Sequence, residues 1–151
     1  LEAMARLHQA GHRVAIATNQ SGLAKGLFDL ETLNRIHNKM LTRLREAGGQ
    51  IDLLMFCPHA EDAAPCRKPN PGMLIEIAQR LAADPAHTIV VGDALRDITA
   101  ARAMGARPIL VRTGKGERTS AESRADLGSV NIYDDLAEFV DEFLTSDGED
   151  N

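Results

Sequence analysis

Apolar residues recur along the chain in two rhythms, and the switches between them mark out its elements. In the opening LEAMARLHQAG, Leu1, Met4, Ala5 and Leu7 fall at helical spacing, and Gly11 stands where a helix is capped. RVAIATN then reads as a short buried strand ending in polar residues. A glycine-containing loop follows, and after it a helix from about Leu30 to Ala47, stopped by Gly48 and Gly49. IDLLMFC predicts a second strand, PGMLIEIAQRLA a helix with proline near its first turn, TIVVGD a third strand and ALRDITAARAMG another glycine-stopped helix. RPILVRTG predicts a fourth strand. After a polar loop, NIYDD reads as a short strand that leads into the amphipathic DDLAEFVDEFL. TSDGEDN reads as a frayed acidic tail, so the expected organisation is one domain over residues 1–145 and a disordered tail over 146–151.

Strands alternating with helices predict an α/β fold, a parallel sheet covered by helices on both faces. Such sheets take ligands at the carboxyl ends of their strands. The candidates there are Thr18 to Ser21, Cys57 to His59, Asp93, and Arg112 to Lys115.

Composition narrows the partners. The hydrophobic share is 44% and the charged share 26%, as in soluble globular proteins, while 3% aromatics leaves the core to aliphatic residues. No apolar run approaches the roughly 18 to 20 residues that span a bilayer, so a cytoplasmic protein without a membrane partner is expected. A net charge of -5 argues against nucleic acid as a partner, and an anionic ligand must then meet a local basic cluster.

Four stretches carry candidate chemistry. TNQSG sets Thr18, Asn19, Gln20 and Ser21 on a turn leaving a strand, with backbone N–H groups expected to face an anion. GDALRD ends a strand with Asp93 and sets Asp97 one helical turn on; two carboxylates there suit Mg2+, or Asp93 simply caps the helix that follows. In CRKP, a proline after Lys68 stiffens the segment that presents Arg67 and Lys68, a planar fork and a compact charge suited to phosphate. Cys57, His59 and Cys66 are three zinc-type ligands within ten residues, and in a reducing compartment their proximity suggests metal more than a disulfide. Asp62, Glu61 or water would complete that shell, or the cysteines stay unmetallated.

Taken together and in this order, TNQSG, CPH, CRKPNPGM and VGDALRD resemble the haloacid dehalogenase (HAD) superfamily of phosphatases, and within it the D-glycero-D-manno-heptose 1,7-bisphosphate phosphatases. The resemblance runs from Leu1 to about residue 140. It implies a HAD-like, Rossmann-like parallel sheet and Mg2+-dependent hydrolysis of a small phosphorylated sugar through a phosphoaspartate. Thr18 would then hold phosphoryl oxygens, and Asn19, Gln20 and Ser21 would line the substrate pocket. Lys68 would neutralise phosphoryl charge, and Arg67 would recognise substrate through its second phosphate. Asp93 would bind Mg2+ while Asp97 orients the metal's surroundings. A monomer is expected. The family's zinc loop carries Cys-x-Cys before the Arg-Lys pair, and here the first of those positions is Ala64, so the fourth ligand is missing.

The resemblance also calls for an Asp-x-Asp nucleophile and general acid on a central strand ahead of Leu1, and the 151 residues contain no Asp-x-Asp. The expectation is that this segment is missing and that the chain alone is inactive and unstable, with VAIAT and TIVV short of a neighbouring strand. Histidinol phosphatase is the nearest rival, but its loop reads NQDG where this chain has NQSG. A polynucleotide 3′ phosphatase would need a basic surface. A non-catalytic module that binds a sugar phosphate is the alternative from another class.

Overall fold

Helices and strands alternate along the computed structural model, in which residues 1–147 are described. The order is α1 (Glu2–Gln9), β1 (Ala15–Asn19), α2 (Leu30–Glu46), β2 (Leu53–Cys57), α3 (Gly72–Arg80), a 3-10 turn (Pro85–His87), β3 (Ile89–Gly92), α4 (Leu95–Met104), β4 (Arg107–Val111), α5 (Gly116–Glu122), α6 (Arg124–Leu127), β5 (Asn131–Tyr133) and α7 (Leu136–Asp147). The chain forms two compact units, residues 1–60 with 140–147, and Glu61–Phe139.

In the first unit β1 and β2 pair in parallel, Ala15 opposite Leu53 through Asn19 opposite Cys57. α2 starts because Asp29, in extended conformation, accepts the Thr32 N–H at 2.8 Å and so satisfies one of the helix's orphan donors. Leu33 and Leu44, 11 residues apart and on one face, are the buried anchors of α2, and Ala3 and Ala5 are those of α1. α7 joins this unit through an ion pair between Arg6 and Asp141 and through the His12 and Phe143 rings, 5.0 Å apart.

The second unit holds a parallel sheet of order β3-β4-β5. α4 ends at Gly105, whose φ of +86° is the left-handed conformation that caps a helix at little cost to glycine. Ile98 of α4, Leu110 of β4 and Leu127 of α6 make a buried cluster, with Leu95 and Val130 packed against it. Burial of three such side chains is worth about 1.5–3 kcal/mol each.

Every expected strand is present, and the α/β class with parallel pairing holds. Among the described residues the strands lie in two sheets, β1-β2 and β3-β4-β5, in line with the expectation that VAIAT and TIVV each lack a neighbouring strand. The expected polar loop after β4 is instead folded into α5 and α6, because Leu127 is drawn into the core and Arg102 donates to the carbonyls of Asp126 and Leu127. The tail expected from residue 146 is partly helical, since α7 runs on to Asp147 and the Ser146 hydroxyl donates to the Glu142 carbonyl at 2.7 Å. Residues 148–151 of that tail lie outside the described residues.

Candidate active site

The first unit carries the turn Thr18 to Ser21. β1 delivers Thr18 and Asn19 half-buried at its carboxyl end, and the Gln20 N–H continues the ladder by donating to the Cys57 carbonyl at 2.8 Å. That amide is therefore committed to the sheet, which removes it from the backbone N–H groups of this turn expected to face an anion. The Gln20 side chain turns back instead, its Nε2 donating to the Thr18 Oγ1 at 3.1 Å, so that the amide fixes the rotamer of the hydroxyl. Beyond it the Leu23 N–H donates to the Gln20 carbonyl and the Lys25 N–H to that of Ser21, which closes the turn.

The second unit carries the cationic pair and both carboxylates. Lys68 Nζ lies 2.7 Å from Asp97 Oδ1, and the two side chains are only 12% and 7% exposed. In a buried setting this pairing is required, because either charge alone would bear an uncompensated desolvation cost. The other oxygen of Asp97 accepts the Ala94 N–H at 3.1 Å, so Asp97, three residues into α4, closes the helix start. Asp93, weighed in the sequence as a cap for this helix, does not serve as one. Its Oδ2 accepts the Lys115 N–H at 2.9 Å and its carbonyl accepts the Thr119 hydroxyl at 2.9 Å.

Lys115 at the start of α5 thus holds the strand-end carboxylate, and Thr119 within α5 holds the main chain of Asp93. Gly114 lets them approach: its φ is +65°, and a Cβ there would overlap Asp93 Oδ2. Of the strand-end candidates Arg112 to Lys115, Lys115 acts on Asp93 through its main chain. Arg112 is committed elsewhere, with Nη1 2.6 Å from Asp134 Oδ1, and this hydrogen bond raises its pKa above the ordinary arginine value. Thr119 had no signal in the sequence, being one hydroxyl in a polar stretch 26 residues from its partner.

Arg67 is largely buried, 17% exposed, and its Nε donates to Asp62 Oδ1 at 3.2 Å. The Lys68–Pro69 peptide bond is cis. The zinc expectation at Cys57, His59 and Cys66 is corrected: both cysteines are disulfide-bonded, and a disulfide sulfur has no thiolate to give a metal. Among the described residues no group of three or more His, Cys, Asp and Glu side chains is arranged to hold a metal ion. Mg2+ asks for less. One or two carboxylates with waters and phosphate oxygens suffice, and the hard, fixed carboxylate of Asp93 fits that demand. No helix among the described residues is long and apolar enough to cross a membrane.

Comparison with known proteins agrees with this chemistry. A family model described as HAD-hydrolase-like matches residues 65–139. The D-glycero-beta-D-manno-heptose-1,7-bisphosphate 7-phosphatase of Bordetella bronchiseptica is 48% identical over 145 residues, which cover 95% of this chain and 80% of that protein. The enzyme of the same name from Pseudomonas aeruginosa is 46% identical over 138 residues, covering 91% and 76%. Among solved structures, the B. bronchiseptica D,D-heptose 1,7-bisphosphate phosphatase complexed with magnesium and phosphate superposes with a TM-score of 0.89 at 45% identity, covering 96% of this chain and 81% of that one. The Burkholderia thailandensis phosphatase superposes with a TM-score of 0.74 at 44% identity, covering 95% and 83%.

Proposed function

Since this chain belongs to the D-glycero-beta-D-manno-heptose-1,7-bisphosphate 7-phosphatase family of HAD-like hydrolases, we propose that it serves the Mg2+-dependent release of one phosphate from a heptose bisphosphate, leaving the monophosphate. The observation that carries the reading is the buried Lys68–Asp97 pair, held in the same unit as the strand-end Asp93. Phosphoryl transfer is mostly positioning and neutralisation of spread negative charge, and these residues supply both.

In this reading Lys68, held in place by Asp97, is the compact cation for the transferring phosphoryl group, and Thr18 donates its hydroxyl to a phosphoryl oxygen. Asn19, Gln20 and Ser21 line the sugar pocket, and Arg67 takes the second phosphate with its planar fork. Asp93 holds Mg2+, which when bound adds positive charge against the phosphoryl oxygens. Asp97 acts on that surrounding only through Lys68 and the start of α4. The attacking carboxylate of the family's chemistry has no Asp-x-Asp counterpart in residues 1–151. Zinc plays no part in the reading, because the disulfide-bonded cysteines do not fit it. The net charge of -5 argues against nucleic acid, and the reading is of a cytoplasmic monomer, without a membrane partner, whose small phosphorylated sugar meets the local cations Arg67 and Lys68.

Phosphate release from the heptose 1,7-bisphosphate, measured with and without Mg2+, tests the reading. In an enzyme that carries the Asp-x-Asp segment, Lys68→Ala is expected to lower kcat by about two orders of magnitude or more, and Arg67→Ala to act mainly on kcat/KM for the bisphosphate. Small and equal effects would remove this division of roles. Tight binding of the bisphosphate without any release would favour a non-catalytic sugar-phosphate module.

A further inference from the structure

Arg67 stands on a loop, and the loop is closed on itself by one side chain. The Asn70 Nδ2 donates both of its hydrogens to main-chain carbonyls, to Asp62 at 2.8 Å and to Ala64 at 3.0 Å. Around this amide the main chain folds back three more times. The Arg67 N–H donates to the Ala64 carbonyl at 3.0 Å, the Asn70 N–H to that of Arg67 at 2.8 Å, and the Gly72 N–H to that of Pro65 at 3.0 Å. The Arg67 guanidinium then meets Asp62, a residue of the same loop. The orientation of the amide is fixed by chemistry, since turning it round would set its oxygen against two carbonyl oxygens.

On the reading that Arg67 recognises the second phosphate, we propose that Asn70 is a positioning residue that sets bisphosphate specificity by holding the 61–72 loop in the form that presents Arg67. It does so without a metal. The two carbonyls it gathers flank residues 62–64, where Ala64 stands at the position of a zinc ligand in the resembling proteins. Asn70 is half-buried at the surface, so its replacement disturbs the loop and leaves the core in place.

The experiment compares the full-length wild-type protein with Asn70→Ala and Asn70→Asp, the second removing both donors at nearly constant size. Two quantities are read: amide hydrogen exchange across residues 61–72, and the ratio of kcat/KM for heptose 1,7-bisphosphate to that for heptose 7-phosphate. Loss of two hydrogen bonds is expected to speed exchange at Arg67 and Gly72 about tenfold and to lower the ratio about tenfold in both variants. Arg67→Ala serves as the reference for a lost phosphate contact. Unchanged exchange in both variants overturns the proposal. So does a loosened loop with an unchanged ratio where Arg67→Ala does lower it. If Arg67→Ala leaves the ratio intact, the recognition reading itself fails, and exchange alone decides whether Asn70 holds the loop.

Discussion

Lys68 and Asp97 show how a single residue here acquires its role from one other. At 2.7 Å and nearly out of solvent, each is tolerated only because its partner is present. Asp97→Ala is expected to destabilise the protein by ~3–5 kcal/mol in denaturant unfolding, because it strands a buried ammonium. Lys68→Met combined with Asp97→Leu is expected to recover much of that loss while phosphate release stays abolished. A double variant no more stable than Asp97→Ala would show that the pair matters for something other than mutual neutralisation. The sequence allowed both residues to be picked out singly, from a strand-end motif and a proline-stiffened basic pair. Their contact was hidden, because 28 intervening residues place Lys68 against α4 and no local spacing encodes that. The same holds for Thr119 and Lys115 on Asp93, and for the two carbonyls on Asn70, whose partners are main-chain atoms without sequence identity.

Among the elements, glycine-stopped helix ends were the most legible, since Gly11, Gly48 and Gly105 take the left-handed conformation just past α1, α2 and α4. The Asp29 cap of α2 makes a pH-dependent contribution. The Thr32 hydroxyl and then the Thr32 N–H hold its carboxylate below the ordinary value of 3.8. A native pKa lower than the unfolded one means that the cap's contribution is full above the usual carboxylate range, and is lost as pH falls through the lowered native value. Asp29→Ala should therefore lower the melting temperature at neutral pH, and the melting curves of wild type and variant should converge in acid. A gap that persists unchanged at low pH would assign the effect to something other than the charged cap. α5 and α6 were read as loop because they are short and polar, with Leu127 as the buried anchor of α6. Tertiary contacts from Arg102 and the core stabilise what propensity alone would leave irregular.

At the scale of the molecule the alternation of strands and helices gave the α/β class and the parallel pairing, because burial on both faces leaves continuous apolar runs. The break between sheets was legible too, since the resemblance expected VAIAT and TIVV each to lack a neighbouring strand, and β1 pairs only with β2 and β3 only with β4 among the described residues. β4 is paired on both sides, and its Ile109 and Leu110 are fully buried, whereas every residue of β1 and β2 but Cys57 is only half-buried. Amide exchange is accordingly expected to be slowest in β4 and faster in β1; equal protection in both would contradict this ranking. The second unit is one unbroken stretch of chain, while the first is gathered from both sides of it. During translation this imposes an order: every residue of the second unit has been synthesised once Phe139 is added, but Arg6 and His12 must wait for Asp141 and Phe143. The part translated first is completed last.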